Sequence, residues 1–182
     1  MNRIIRCGAI IGVALLVNVA TTGRVSAQAS ASSPPPASPL SPLSFLAGSC
    51  WKGTFAGRNV TDEHCFKWIY NGRFLRDHHI VAGDSVPYEG ESTYAWDAPS
   101  KQIVYWYIAL PGFYSHGSVT PTDSVLIFQD NLQMANARQL RTTWRRAGPD
   151  AYIVRVEDIT DATPKVLWTM EMKRSRAARD GG

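Results

Sequence analysis

Two short segments of the sequence carry residues that could bind a metal ion. Asp62 precedes His64 by two positions, and Asp77 precedes His79 by the same spacing. Residues two apart in a β-strand project from one face, so each segment would present a carboxylate beside an imidazole. Both groups are ligands of zinc and iron. The pattern indicates a candidate divalent-metal site; the alternatives are paired His–Asp hydrogen bonds or side chains on a solvent face.

A second group of residues suits a small-molecule pocket. Tyr105 and Tyr107 alternate in one predicted strand, and Tyr114 and His116 alternate in the next. If Pro111-Gly112 forms a two-residue turn, Tyr107 lies opposite His116 and all four side chains share a face. Aromatic side chains with polar tips line pockets for flat or acyl ligands.

Tyr94 would join this wall through a four-residue turn around Pro99. The alternative is that the tyrosines lie outside and that Val104, Trp106 and Ile108 form the core instead. The predicted ligand-binding residues are Tyr94, Tyr105, Tyr107, Tyr114 and His116.

No catalytic residue is assigned from the sequence. Ser115 and His116 are neighbours on one predicted strand and point to opposite faces, which prevents the hydrogen bond of a serine–histidine pair. Glu89 and Glu91 share a face and could form an acid–base pair, but Glu-Gly-Glu before a turn is typical of a solvated edge. The sequence lacks the motifs of phosphate-binding loops, zinc peptidases and α/β-hydrolases. A binding protein is therefore favoured over an enzyme.

Strands must position these candidates. Residues 48–173 are rich in β-branched and aromatic residues, with turn signals every eight to twelve residues and no helical period. Tight turns between consecutive strands predict an all-β fold, a single antiparallel up-and-down β-barrel of about ten strands with no exposed edge. The predicted strands are 48–56, 60–70, 73–82, 88–97, 102–110, 113–120, 124–130, 138–146, 151–158 and 165–173.

The first hairpin turn predicts a disulfide. A two-residue loop at Gly57-Arg58 places Cys50 opposite Cys65, within the Cα separation that a disulfide requires. The same register places Trp51 opposite His64.

The second hairpin turn brings the two candidate metal segments together. Asn71-Gly72 is the strongest two-residue turn signal, and it places His64 opposite His79. Strand alternation then assigns one face of the first two strands to the interior. That face carries Trp51, Phe55, His64, Phe66 and Trp68.

The N-terminal residues 1–27 resemble a cleaved export signal. Arg3 and Arg6 precede an apolar run of 14 residues, Cys7–Ala20, which is shorter than the roughly 20 residues of a membrane-spanning helix. Val25-Ser26-Ala27 then offers small residues for signal peptidase. We therefore expect an exported protein, periplasmic or secreted, that keeps no membrane span and has two remaining cysteines in an oxidising compartment.

Two further segments flank the predicted barrel domain, 45–173. Residues 28–44 are 17 in number, 14 of them Ser, Pro or Ala, and predict a disordered tether. Residues 174–182 predict a disordered basic tail. The whole chain carries a formal charge of +4, but the barrel domain has 13 basic and 14 acidic residues. A nucleic-acid partner is therefore not expected.

Three motifs resemble a bacterial family of unknown function. Phe45–Gly53 is similar to the Gly-x-Trp opening of calycin barrels, with one extra residue, and Asn71–Leu75 and Tyr88–Asp97 follow that family's pattern. Ala95 and Trp96 depart from its usual glycine and tyrosine. The resemblance covers 45–173 and implies a calycin-like barrel related to lipocalins and nitrobindin.

Binding of a small apolar or amphipathic molecule in the barrel is the leading interpretation, because aromatic residues are dense and catalytic motifs are missing. A metal- or haem-dependent enzyme or sensor is the first alternative. The nitrobindin likeness implies a haem-binding histidine late in the barrel, but no histidine follows His116. The second alternative is an envelope interaction module with a filled barrel. No cofactor is required by the leading interpretation, and the oligomeric state stays open.

Overall fold

The computed structural model describes residues 38–83, 88–110, 112–130 and 139–177. Within these residues, ten strands close into one antiparallel barrel, in which each strand pairs with its sequence neighbours and the last pairs with the first. The predicted all-β up-and-down barrel is confirmed. The strands are β1 (Ser49–Thr54), β2 (Thr61–Ile69), β3 (Phe74–Ala82), β4 (Tyr88–Asp97), β5 (Gln102–Ala109), β6 (Phe113–Pro121), β7 (Val125–Asp130), β8 (Leu140–Arg146), β9 (Ala151–Asp158) and β10 (Lys165–Ala177).

The barrel interior is lined by residues that alternate along the strands. Trp51, Phe66 and Trp68 are buried, which confirms their predicted inward orientation. Leu75 and Tyr152 join them in the same core cluster. Aromatic and branched side chains favour such a pleated surface because it lets them pack against cross-strand neighbours.

A short segment before β1 packs against the core. Ser41–Leu43 forms one 3-10 turn, and Leu40, Leu43 and Leu46 are buried. The indole nitrogen of Trp51 donates a hydrogen bond to the Leu46 carbonyl at 3.1 Å. The leucines interrupt the Ser/Pro-rich composition and bury apolar surface, which stabilises an ordered conformation.

The predicted disordered tether, residues 28–44, is therefore wrong for residues 38–44. Residues 28–37 and the predicted signal peptide, 1–27, lie outside the described residues.

The predicted disordered tail is also wrong at its start, because β10 continues to Ala177. Its last residues pair with β1, where Ser49 lies opposite Ala177. The Arg174 guanidinium lies 4.3 Å from the ring centre of Trp51 and forms an ion pair with Asp150 at 2.9 Å. These contacts allow a basic segment without apolar periodicity to complete the barrel.

The registers predicted for the first two hairpins are confirmed. Cys50 pairs with Cys65, and their sulfur atoms are within bonding distance with the Cα atoms 4.0 Å apart. Trp51 pairs with His64, and His64 pairs with His79. The turn residues identified in the sequence therefore place the first three strands correctly.

Reduction of the Cys50–Cys65 pair is expected to lower the free energy of unfolding by about 2–3 kcal/mol. The two cysteines are 15 positions apart, and closing a short loop removes only this much entropy from the unfolded chain. Urea unfolding with and without dithiothreitol measures the difference. The Cys50→Ala, Cys65→Ala double variant should not respond to reductant, and an equal midpoint for the wild-type protein in both conditions would contradict the prediction.

The predicted register of β5 and β6 is wrong by one residue. Ala109 pairs with Phe113, so three residues separate the strands where the sequence suggested a two-residue turn. The Gly112 amide donates to the Ala109 carbonyl at 2.7 Å. Tyr107 consequently lies opposite Ser115, and His116 lies opposite Trp106.

In the part of the chain that the structure describes, no helix has both the length and the apolar character needed to cross a membrane.

Candidate functional site

A cavity of about 250 Å³ lies inside the barrel, and its two sides differ in chemistry. The side formed by β2 to β6 is polar and carries acids, histidines, serines and tyrosine hydroxyls. Apart from Thr142, the side formed by β7 to β10 is apolar. Its apolar residues are Phe128, Trp144, Val154, Val156, Trp168 and Met170.

His64 lies between two carboxylates on the polar side. Its Nδ1 lies 2.8 Å from Asp77 Oδ2, and its Nε2 lies 3.2 Å from Asp62 Oδ2. Asp62 and Asp77 are both buried. Because Asp62 is two positions from His64 and Asp77 lies on the neighbouring strand, the arrangement follows directly from the register of β2 and β3.

His79 extends this hydrogen-bond network. Its Nδ1 lies 2.9 Å from Asp62 Oδ1, and its Nε2 lies 2.9 Å from the Tyr107 hydroxyl. The Tyr88 and Tyr107 hydroxyls are 2.6 Å apart. The rings of His64 and His79 stack with centres 4.5 Å apart. A continuous chain of polar contacts therefore runs across β2, β3, β4 and β5.

Gly90 makes room for the contact between His79 and Tyr107. It lies opposite both His79 and Ala109 on the neighbouring strands. A Cβ atom at this position would lie 2.5 Å from the Tyr107 hydroxyl and 2.6 Å from His79 Nε2. A side chain here would displace one of these two groups.

The two carboxylates keep His64 protonated at neutral pH. Burial opposes the charge of His64, but Asp77 and then Asp62 outweigh it and raise the pKa of His64 to about 10. Burial would also raise the pKa of Asp62, but His64 and His79 lower it well below its usual range. The centre of the network is therefore an imidazolium between acids.

The tyrosine hydroxyls of the network stay neutral. Burial raises the pKa of Tyr107 far above its usual value, and Tyr88 adds to the shift. Burial also raises the pKa of Tyr88. Both hydroxyls can therefore donate hydrogen bonds throughout the physiological range.

Two polar atoms of cavity-lining residues have no hydrogen-bond partner among the described residues. They are Asp77 Oδ1 and the Tyr105 hydroxyl. Both residues are more than nine-tenths buried. Both atoms are themselves covered by protein, and an unpaired buried polar atom destabilises the folded protein.

The four residues predicted as metal ligands lie together. Asp62, His64 and His79 offer ligand atoms within 4.8 Å of one another. Asp77 contacts this group through the other ring nitrogen of His64. The contacts between these groups have hydrogen-bond distances, as the alternative of paired His–Asp hydrogen bonds predicts.

The predicted ligand-binding residues divide between the two faces of the barrel. Tyr94, Tyr105 and Tyr107 line the cavity. Tyr114 is 74% exposed and His116 is also exposed, so their predicted place in the wall is wrong. The cause is the one-residue register shift of β6, which moves its side chains to the opposite face.

The alternative for this strand is wrong as well. Trp106 and Ile108 are exposed, so β5 turns its tyrosines inward. Ser115 lines the cavity while His116 faces outward, which confirms that they cannot form a catalytic pair.

The remaining histidine on β3 and the acids of β4 lie on the outer face. His78 Nε2 lies 2.6 Å from Glu89, and Glu91 lies 4.0 Å from Arg76. His78 therefore takes no part in the cavity.

The apolar side of the cavity was not predicted as a site. Phe128, Trp144 and Met170 are buried and alternate with more exposed residues on β7, β8 and β10. Their alternation is visible in the sequence. The register of these strands could not be derived, because the connections between β7, β8, β9 and β10 are longer than two residues and β10 has a bulge near Val166. Ser92 and Tyr88 were missed because no two-residue turn fixes β4 against β3.

Haem does not fit the residues present. His78 and His116 face outward, so neither histidine can reach a haem inside the barrel. The cavity of about 250 Å³ is also below the roughly 300–1,000 Å³ of pockets for drug-sized ligands, so it suits a smaller molecule than haem.

The chain matches no protein-family model, and no curated protein matches its sequence. The structure shows a closed ten-strand barrel, and the resemblance to a calycin-like family rests on the three short motifs alone. Because one barrel fold supports many unrelated activities, function has to be argued from the site itself.

Proposed function

We propose that the protein is an exported calycin-like barrel that binds a small amphipathic molecule in its cavity. The observation that carries this proposal is the division of the cavity into a polar side and an apolar side. An apolar body would pack against Phe128, Trp144 and Met170, and a polar group would face the histidines, serines and tyrosine hydroxyls of the opposite side. Such a ligand gains both from apolar burial and from oriented hydrogen bonds.

The export part of the proposal rests on the N-terminal segment and on the cysteine pair. The segment 1–27 has the charge and apolar run of a signal peptide. A bonded cysteine pair is typical of oxidising compartments. The cavity favours ligand binding over the filled-barrel interaction module.

Binding is tested with 2-naphthol, which has an aromatic body and one hydroxyl. Native mass spectrometry of the full chain first shows whether a small molecule is retained after purification. We then expect 2-naphthol to raise the thermal unfolding temperature and to change the fluorescence of the cavity tryptophans. Ser115→Phe, which fills the cavity from β6, should weaken binding at least about tenfold, or about 1.4 kcal/mol.

His116→Phe is the matched control, because it places the same side chain on the outer face of the same strand. It should bind 2-naphthol as the wild-type protein does. The proposal is overturned if both variants lose the same affinity. It is also overturned if the folded wild-type protein retains no small molecule after purification and does not bind 2-naphthol.

A further inference from the structure

Three side chains of β2 and β3 converge as the ligands of a metal ion do. Asp62, His64 and His79 each offer one ligand atom, and these atoms lie within 4.8 Å of one another. His64 and His79 are opposite each other across the two strands. Two histidines and one carboxylate with an open side form a common site for zinc or ferrous iron.

The second ring nitrogen of each histidine, which faces away from Asp62, has a hydrogen-bond partner, as in metal-binding histidines. His64 Nδ1 contacts Asp77 at 2.8 Å, and His79 Nε2 contacts the Tyr107 hydroxyl at 2.9 Å. Metal-binding histidines almost always have such a partner on the second nitrogen, because it fixes the tautomer and the ring orientation. Both histidines meet this condition, and Gly90 keeps the space that the second contact needs.

The charges of the cluster suit a divalent cation. Asp62 and Asp77 are buried carboxylates. With both histidines neutral, a doubly charged ion would balance the two acids. The ion would replace the protons that link Asp62 to the two rings, and those protons would pass to solvent on binding.

The cluster also has room for ligands from outside the protein. Asp62, His64 and His79 all line the cavity, so an ion held by them would keep coordination positions open towards it. Three protein ligands with an open position distinguish a reactive site from a closed structural one.

We propose that Asp62, His64 and His79 bind one first-row divalent metal ion at the cavity wall, with Asp77 and Tyr107 as positioning residues. This site lies in the wall of the same cavity, but it does not require that an amphipathic molecule binds there. Either property can be present without the other.

The test uses the full chain, stripped with chelator and dialysed. Zn²⁺ binding is measured by calorimetry, and Co²⁺ binding by its visible absorption, which reports the coordination geometry. We expect one ion per chain. Asp77→Asn should weaken binding about 10–100-fold, as loss of an outer partner does, and Asp62→Asn or His79→Gln should weaken it further.

His78→Gln is the matched control, because His78 is the neighbour of His79 on β3 and faces outward against Glu89. It should bind Zn²⁺ with unchanged affinity and give an unchanged Co²⁺ spectrum. The proposal is overturned if the folded wild-type protein binds neither ion, or if His78→Gln loses as much affinity as Asp62→Asn.

Variants that unfold are recognised by circular dichroism. For these, the wild-type protein supplies a second measurement. Its thermal unfolding temperature should rise with Zn²⁺ concentration, because an ion that binds only the folded barrel stabilises it. A temperature that does not change with Zn²⁺ would also overturn the proposal.

Discussion

His64→Leu is expected to lower the free energy of unfolding of the metal-free protein by about 3–5 kcal/mol at pH 7. The substitution places an apolar side chain at the position and removes the cation between Asp62 and Asp77, which are both buried. Breaking a buried ion pair by removing one partner has this large effect, because the remaining charge is left without compensation. Urea unfolding in chelator-containing buffer measures the loss.

The pH dependence identifies the cause of the loss. In His64→Leu the unpaired carboxylates become protonated as the pH falls, so the difference from the wild-type protein should shrink between pH 7 and pH 4. His78→Leu is the control on the same sheet, since His78 pairs with Glu89 at the surface and exposed pairs contribute about 0–1 kcal/mol. A loss in His64→Leu that does not vary with pH would contradict the charge explanation.

The free energy of unfolding of the wild-type protein should fall at alkaline pH. The folded-state pKa of His64 is raised to about 10, above the unfolded value of about 6.5. Its stabilising effect is therefore complete below pH 6.5 and is lost as the pH rises through about 10. The lowered pKa of Asp62 acts at the other end, because its contribution is present above about pH 3.9 and is lost in stronger acid.

Trp51→Ala is expected to lower the free energy of unfolding by about 3–5 kcal/mol as well. Trp51 has no exposed surface, and its ring contacts Tyr152 at 5.2 Å and Phe45 at 6.3 Å between centres. Its indole nitrogen also holds the segment before β1 through the Leu46 carbonyl. The substitution would remove apolar burial, leave a cavity and release that segment at once.

A loss of this size is a large part of the roughly 5–15 kcal/mol that stabilises an ordinary domain. Trp106→Ala is the matched control, because Trp106 is 53% exposed on the outer face of β5. It should change the free energy of unfolding by less than about 1 kcal/mol. Urea unfolding followed by circular dichroism compares the two variants, and similar losses would contradict the assignment of Trp51 to the core.

The strand pattern and the turn chemistry predicted most of the fold. Alternating apolar residues identify strands directly, and the strands on either side of Gly57-Arg58 and of Asn71-Gly72 pair in the predicted registers. The turn at Gly112 shows the limit of this reasoning. One additional residue in its loop moved Tyr114 and His116 to the outer face, and composition alone does not distinguish the two loop lengths.

The part of the candidate site that depends only on the pairing of β2 with β3 could be predicted from the sequence. The group of Asp62, His64, Asp77 and His79 needs only the register of two adjacent strands. The contact of His79 with Tyr107 depends on β4 and β5 as well, so it could not be derived. The apolar side of the cavity depends on strands distant in sequence, for which no turn supplied a register.

The seam of the barrel, where β1 pairs with β10, joins strands that are far apart in the sequence. Each other strand pair joins neighbours in the chain, so hairpins can form early from short loops. At the seam, the hydrogen bond from Arg174 to Ser49 joins residues 125 positions apart. Because the entropy of closing such a loop must be lost before its contacts form, closure at this seam is the natural late step of folding. A chain stopped before that step would expose two strand edges, the surface from which β-proteins aggregate.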